Sequence, residues 1–270
     1  MQSTGGRLLT WALLLATGLL AACSQDELAE QAGILPEGKY PLQIGSVSIT
    51  ADVDQQPWSA SAPQTRVSEN PDGNSSSWEN GDKIKVQIGN GTPGTYTYQD
   101  GSLTIAEGDA PAYWASRADN QSILAWHTSS GSKTVELDNQ TETLAYLLTA
   151  QATANFNESV SLNFGHALAK VRVKLQGDQA DEVTDVKIKT YTSCTLGADG
   201  TLTEDDMEDF IPMVETTYNG AKCWEANVVP EHGITMVKVN NDKEVLLGTP
   251  LTPLEAKVNT ITLKAGDPIK

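Results

Sequence analysis

Apolar and polar residues alternate in short runs from residue 40 onward, which is the pattern of half-buried β-strands. In the run 83–88, Ile84, Val86 and Ile88 share one side and polar residues the other. Turn pairs such as Asn-Gly, Pro-Gly and Asp-Gly separate such runs. Further strands are predicted at 95–98, 103–106, 112–115, 122–127, 183–191, 194–202 around a turn at Asp199-Gly200, 213–217, 223–229, 234–239, 244–247 and 257–264. Many short strands bounded by turns predict an all-β chain of sandwich or barrel type.

Two alternating segments change phase, and one segment has a different period. The strand at 42–53 shifts phase near Gly45, which predicts a slip there. The runs 160–164 and 171–175 alternate in opposite phases, so a bulge or bend is expected at 165–169. Leucines at helical spacing in 142–154 predict a short linker helix. We therefore divide the chain after this helix, into an N-terminal domain 40–157 and a C-terminal domain 158–270.

The N-terminus is typical of a secretory signal. Arg7 precedes an apolar run that ends in small residues before Cys23. The run has about 15 residues, short of the ~20 that span a bilayer as a helix. Its end, 20–23, resembles the lipobox of bacterial lipoproteins, which implies removal of residues 1–22 and attachment of palmitate or a similar acyl chain to Cys23. The polar segment 23–39 is then a flexible tether between the outer membrane and the folded part.

Charge limits the choice of partners. The formal net charge of −17 becomes −18 once Arg7 leaves with the signal. Lysine and arginine are scattered and form no cluster suited to phosphates. An acidic chain of this kind is repelled by nucleic acid and by anionic lipid headgroups, so neither is expected as a partner.

The remaining cysteines, Cys194 and Cys223, form an even pair in a chain that crosses an oxidising compartment. A disulfide between them would contribute about 3 to 4 kcal/mol by restricting the unfolded chain. The alternative is two separate buried thiols that act as small apolar side chains. The sequence leaves both open.

The residue patterns of common catalytic and metal sites are missing from the sequence. His127, His166 and His232 are far apart and stand in no zinc-binding pattern. There is no GxSxG motif, P-loop or GxGxxG motif. The acidic run 204–209 lacks the ligand spacing of a calcium loop and is interpreted as a solvated loop. We expect no catalytic residue, metal or cofactor, and therefore no enzyme.

A set of motifs in fixed order resembles one known family. The chain resembles the fimbrillin-like (Mfa-like) lipoproteins of Bacteroidales, which are subunits of type V pili. One departure is the segment 145–148, where relatives usually have an aspartate before the paired leucines. The motifs that carry the resemblance are 35–42, 65–68, Trp78 with 81–84, 113–114, 125–126, 164–171, 229–230 and 258–263.

The resemblance implies two transthyretin-like β-sandwich domains in tandem and assembly into a surface fimbria on the outer membrane. In related pilins a protease cuts after an arginine, and a strand of another subunit fills the groove that opens. Arg66 matches the cleaved arginine, so Val67 would become the new N-terminus. The last strand, with Val258, Ile261 and Leu263, is the candidate donor.

Two functions remain in competition at this point. One is a structural or adhesive fimbrial subunit that binds other pilin subunits in a homo- or hetero-polymer. The other is a monomeric surface lipoprotein that binds a glycan or a host protein through the loops of the same sandwich.

Overall fold

The computed structural model describes residues 33–49, 68–69, 76–178, 180–205, 207–240 and 243–264. These residues form strands and turns with no α-helix among them, and one short 3-10 turn at Ala180–Glu182. The all-β prediction is therefore confirmed for the described chain. The strands in chain order are β1 Gln43–Ile49, β2 Ser68–Glu69, β3 Ser76–Ser77, β4 Lys83–Ile88, β5 Gly94–Gln99, β6 Ser102–Thr104, β7 Gln121–His127, β8 Thr134–Glu136, β9 Leu148–Ala154, β10 Ser159–His166, β11 Ala169–Gln176, β12 Val186–Tyr191, β13 Ser193–Leu196, β14 Leu202–Glu204, β15 Glu208–Pro212, β16 Val214–Tyr218, β17 Ala221–Val228, β18 Ile234–Val239, β19 Lys243–Leu251 and β20 Val258–Lys264.

The N-terminal half is built on a seven-stranded sheet in the order β1-β10-β9-β7-β4-β5-β6. Its alternating strands bury one set of side chains, as Ile84, Val86 and Ile88 of β4 do. These side chains form the N-terminal cluster, which is the main hydrophobic core of this half. The cluster consists of Leu35, Leu42, Ile84, Val86, Ile88, Tyr96, Ala112, Trp114, Ile123, Ala125, Tyr146, Leu148, Ala150, Ala154, Val160, Leu162 and Phe164.

The C-terminal half contains two four-stranded sheets, in the orders β16-β17-β11-β20 and β15-β12-β18-β19. Both sheets contribute to one core, here called the C-terminal cluster. Val173 and Trp224 come from the first sheet, and Ile188 and Val237 from the second. Two sheets that enclose a shared core form a β-sandwich.

A three-stranded sheet, β14-β13-β8, joins the two halves. Its strand β8 comes from the N-terminal half and pairs with β13 of the C-terminal half. The segment after β8 is fixed by Gln140, whose fully buried amide donates to the Asn227 carbonyl at 2.8 Å and accepts from the Asn227 amide at 3.0 Å. Asn227 in turn donates to the carbonyl of Ala145 at 2.6 Å. These bonds hold the segment against β17.

The predicted phase changes have different outcomes. The slip near Gly45 is confirmed, because the register of β1 against β10 shifts between Ile44 and Ser46. The bend expected at 165–169 marks the passage from one core to the other: β10 pairs in the seven-stranded sheet, and Ala169 begins β11 in the C-terminal half. The seven-stranded sheet therefore includes β10, and the C-terminal sheets begin with β11.

Two other predictions are wrong. The linker helix expected at 142–154 does not form; residues 142–147 are irregular and Leu148–Ala154 is strand β9, paired with β7. The acidic run 204–209 is only partly a loop, because Glu204 ends β14 and Glu208 begins β15. Glu208 and Asp209 remain exposed, so main-chain pairing with β12 is compatible with their charge.

Candidate assembly interface

Strand β1 lies at one edge of the seven-stranded sheet and runs parallel to β10. Ile44, Val47 and Ile49 pack half-buried against the N-terminal cluster. In the part of the chain that the structure describes, no strand pairs with the outer edge of β1. Ile44 and Val47 are three residues apart and still share one face, because the strand has a bulge at Gly45. An added Cβ at Gly45 would lie 2.6 Å from the Ser159 hydroxyl oxygen.

The residues before β1 are held more firmly than β1 itself. Leu35 and Leu42 are buried, and their amides donate to main-chain carbonyls of the segment 112–115 at 2.9 and 2.8 Å. The hydroxyl of Tyr96 donates to the Leu42 carbonyl at 3.2 Å and accepts from the Ala112 amide at 3.2 Å. Burial raises the pKa of Tyr96 to about 12, so the hydroxyl keeps its proton and can donate at physiological pH.

Strand β20, the candidate donor, lies at the edge of the sheet β16-β17-β11-β20. It runs parallel to β11 over seven residue pairs, from Lys170 with Val258 to Gln176 with Lys264. Ile261 and Leu263 enter the C-terminal cluster, whereas Val258 is buried outside it. No strand among the described residues occupies the outer edge of β20.

The two edge strands share part of their apolar pattern. In β1 the bulge at Gly45 brings Ile44 to the same face as Val47 and Ile49. β20 has an unbroken register with β11, so Val258 faces the side opposite Ile261 and Leu263. Both strands are seven residues long and parallel to their neighbours, and each has an inward-facing apolar pair two residues apart. A strand with the pattern of β20 can therefore present Ile261 and Leu263 at the positions that Val47 and Ile49 use along β10.

The other predicted site residues are distributed as follows. Cys23, Arg66 and Val67 lie outside the described residues. Cys194 and Cys223 are both buried free thiols, so the disulfide is not formed and the alternative of separate apolar cysteines holds in the structure. They lie in different sheets, Cys194 opposite Val135 of β8 and Cys223 opposite Lys174 of β11. Burial raises their pKa values, to about 12 for Cys194 and about 11 for Cys223.

Two of the three histidines, His127 and His166, have different structural surroundings. The buried ring of His127 lies 2.7 Å from the Lys83 carbonyl through Nδ1 and 3.1 Å from the Tyr146 hydroxyl through Nε2. Burial, together with the charge of Lys170, lowers the pKa of His166 to about 3. No three His, Cys, Asp or Glu side chains of the described chain are grouped so that they could hold a metal ion. Over the same residues, no helix has the length and apolarity to cross a bilayer.

Sequence reasoning missed a buried ion cluster beside the donor strand. Lys170, Arg172 and Glu225 have fully buried side chains, with Arg172 Nε 2.6 Å and Lys170 Nζ 3.5 Å from the Glu225 carboxylate. The guanidinium of Arg172 also lies 3.7 Å from the ring centroid of Tyr218. The alternation of basic residues with valine in 170–174 does not reveal that the basic face of this strand is covered.

Several solved structures resemble this chain, and the first described here supports the sandwich fold. A candidate cell adhesion protein from Bacteroides ovatus is 11% identical, with 84% of this chain and 93% of that chain covered and a TM-score of 0.55. A candidate cell adhesion protein from Bacteroides uniformis is 20% identical over 70% of this chain and 88% of its own, with a TM-score of 0.49. The fimbrial anchor protein Mfa2 from Porphyromonas gingivalis is 13% identical over 83% and 90%, with a TM-score of 0.39.

Sequence comparison identifies the family. No curated protein sequence matches the chain significantly. The family model described as fimbrillin-like matches residues 65–268, which is most of the chain and includes β4 to β20. The chain belongs to the fimbrillin-like family.

Proposed function

We propose that the chain is a structural or adhesive subunit of a surface fimbria, exported as a lipoprotein through Cys23 and assembled by strand exchange after cleavage between Arg66 and Val67. The observation that carries this proposal is that β1 and β20 are both parallel edge strands, each with an inward-facing apolar pair two residues apart. Membership of the fimbrillin-like family supports a fimbrial or adhesin-like role at the cell surface.

Cleavage after Arg66 would separate β1 from the rest of its sheet, because Arg66 lies between β1 and β4 in the chain. Only non-covalent contacts would then hold β1 against β10. Its loss would uncover the parallel edge of β10 and the apolar side chains that Ile44, Val47 and Ile49 now cover. An uncovered strand edge beside apolar surface favours addition of another strand.

The replacing strand must gain enough free energy to displace β1. Each fully buried aliphatic side chain contributes about 1.5 to 3 kcal/mol, and main-chain hydrogen bonds fix the register. Matching β20 to β1 aligns Ile261 with Val47 and Leu263 with Ile49, whereas Ile44 has no counterpart because it reaches this face through the bulge at Gly45. In this alignment Thr262 takes the place of Ser48, whose hydroxyl donates to Asn163 at 3.0 Å.

This alignment defines a cross-linking experiment. Asn163 and Thr262 are exposed, so the double variant Asn163→Cys/Thr262→Cys places one new thiol on β10 and one on β20. We expect cleavage with an arginine-specific protease followed by mild oxidation to give a ladder of disulfide-linked multimers on a non-reducing gel. The matched control is Asn163→Cys/Thr235→Cys, because Thr235 is exposed on β18, which is not a candidate donor.

The outcomes separate the two candidate functions. A ladder with Thr262→Cys and none with Thr235→Cys supports strand exchange. Monomers from both variants after complete cleavage would overturn it and favour the monomeric binding lipoprotein. Mass spectrometry of the native N-terminus tests export in parallel, with acylated Cys23 expected before cleavage and Val67 after it.

A further inference from the structure

A cleft of about 530 Å³ opens between the N-terminal sheet and the loops of the C-terminal half. Its walls come from β9, from the turn and strand after β13, and from the loops on either side of β18 and β19. A volume of this size is typical of sites that bury a ligand group. The side chains that the argument uses are Gln151, Tyr191, Glu204, Glu231, His232 and Glu255.

The polar groups of the cleft favour a cation. Glu204, Glu231 and Glu255 bring three carboxylates to it, and none of the described residues that line it is Lys or Arg. The ring of Tyr191 packs at 4.4 Å from that of His232, centroid to centroid. Aromatic faces attract guanidinium groups, and carboxylates form charge-assisted hydrogen bonds with them. An arginine side chain satisfies both kinds of contact, because its planar group can stack and bind a carboxylate at once.

A second feature indicates that this cation is carried by a peptide. Leu202 and Glu204 of β14 line the cleft, and β14 is the outermost strand of the sheet β14-β13-β8. Among the residues that the structure describes, no strand pairs with the outer edge of β14. An extended peptide can add to such an edge through main-chain hydrogen bonds while alternate side chains enter adjacent pockets.

The wall that carries this edge is held close to β9. Gly200 has a φ of +84°, and a Cβ there would lie 2.0 Å from Nε2 of Gln151. Glycine accommodates the positive φ without strain, and the Gln151 amide occupies the space that a side chain at this position would need. The turn between β13 and β14 therefore packs against β9 across the cleft.

We propose that the cleft binds an extended segment of a partner protein, with an arginine side chain between Tyr191 and the carboxylates and its backbone along the edge of β14. The site lies apart from β1 and β20 and does not depend on strand exchange. An adhesive subunit would bind its partner through this site, and the partner that fits the site is a basic protein.

The test measures binding of a short extended peptide with a central arginine to the full chain by isothermal titration calorimetry. A peptide with citrulline at the same position keeps the shape and removes the charge. The variant Glu231→Gln/Glu255→Gln should weaken binding of the arginine peptide about tenfold, since charge pairs at an interface supply part of the affinity. The control Glu107→Gln removes an exposed carboxylate outside the cleft and should leave binding unchanged.

Some outcomes of this test would support the proposal, and others would overturn it. Binding that depends on the arginine and weakens with added salt supports the contact with the carboxylates. Weaker binding after methylation of alternate peptide amides supports main-chain pairing with the edge of β14. Equal binding of the arginine and citrulline peptides would overturn it. So would binding of glucosamine oligosaccharides without binding of the arginine peptide, or full affinity in the Glu231→Gln/Glu255→Gln variant.

Discussion

Replacing Glu225 by glutamine should strongly destabilise the half of the protein that carries the candidate donor strand. Glu225 is the one carboxylate of the buried ion cluster, 2.6 Å from Arg172 Nε and 3.5 Å from Lys170 Nζ. Glu225→Gln keeps the size of the side chain but leaves two buried cations without their counter-charge. Breaking a buried ion pair in this way costs about 3 to 5 kcal/mol, a large part of the stability of an ordinary domain.

An exposed ion pair in the same sheet provides the matched control. Glu215 on β16 lies 3.0 Å from Lys222 on β17, and its side chain is about half exposed. Glu215→Gln makes the same chemical change, and we expect it to lower the free energy of unfolding by about 0 to 1 kcal/mol.

Urea unfolding followed by tryptophan fluorescence measures both variants. The midpoint should fall markedly for Glu225→Gln and little for Glu215→Gln, with similar slopes. Added salt should reduce the small Glu215 effect and leave the Glu225 effect nearly unchanged, because buried pairs are poorly screened. Equal losses in the two variants would refute the reasoning that burial of the cluster sets the cost.

Two further changes test the N-terminal core and the cysteines. Tyr96→Phe leaves the buried Leu42 carbonyl and Ala112 amide without their partner, so it should cost about 1 to 3 kcal/mol in urea unfolding. Burial raises the folded-state pKa of Tyr96 to about 12, above the usual tyrosine value of 10.0, so the stability linked to the protonated hydroxyl is complete below pH 10 and is lost as the pH rises through about 12. The phenylalanine variant should therefore lose less stability than the wild type across that range, and parallel pH curves would contradict this. The raised pKa values of Cys194 and Cys223 keep these thiols protonated and unreactive at neutral pH, so a thiol reagent should modify them only in urea. If Cys23 is acylated as proposed, the native protein should yield two reactive thiols in urea from its three cysteines, and a third reactive thiol would argue against lipidation.

Strands bounded by clear turns were predictable from the sequence. The alternation of 83–88 and 234–239 coincides with the bounds of β4 and β18. The Asp199-Gly200 turn joins β13 to β14 as predicted, because Gly200 supplies the positive φ that such a turn requires. In these segments one face is buried and the other is solvated, so period and structure agree.

Prediction failed where neighbouring residues contribute to different cores. Leu147 belongs to the C-terminal cluster and Leu148 to the N-terminal cluster. Two consecutive buried leucines break the alternation and, together with Leu144, imitate a helical stripe. A single sequence does not reveal that a segment passes between two cores. The leucine spacing in 142–154 therefore suggests a helical period, although the segment is irregular and then forms strand β9.

The parallel pairing of both edge strands has a consequence for assembly. Parallel neighbours cannot be joined by a tight turn, so β1 and β20 meet β10 and β11 without a hairpin connection. β1 is linked to the rest of its sheet only through the segment that contains Arg66, and one cut there removes its covalent tether. Residues 252–257 connect β19 to β20, so a conformational change in that segment alone would be enough to move β20 away from β11. Antiparallel strands such as β4 and β5 lie on either side of a short turn, and local cleavage would leave them close together. The two strands that this topology releases most easily are therefore β1 and β20, the same two that the proposed exchange requires.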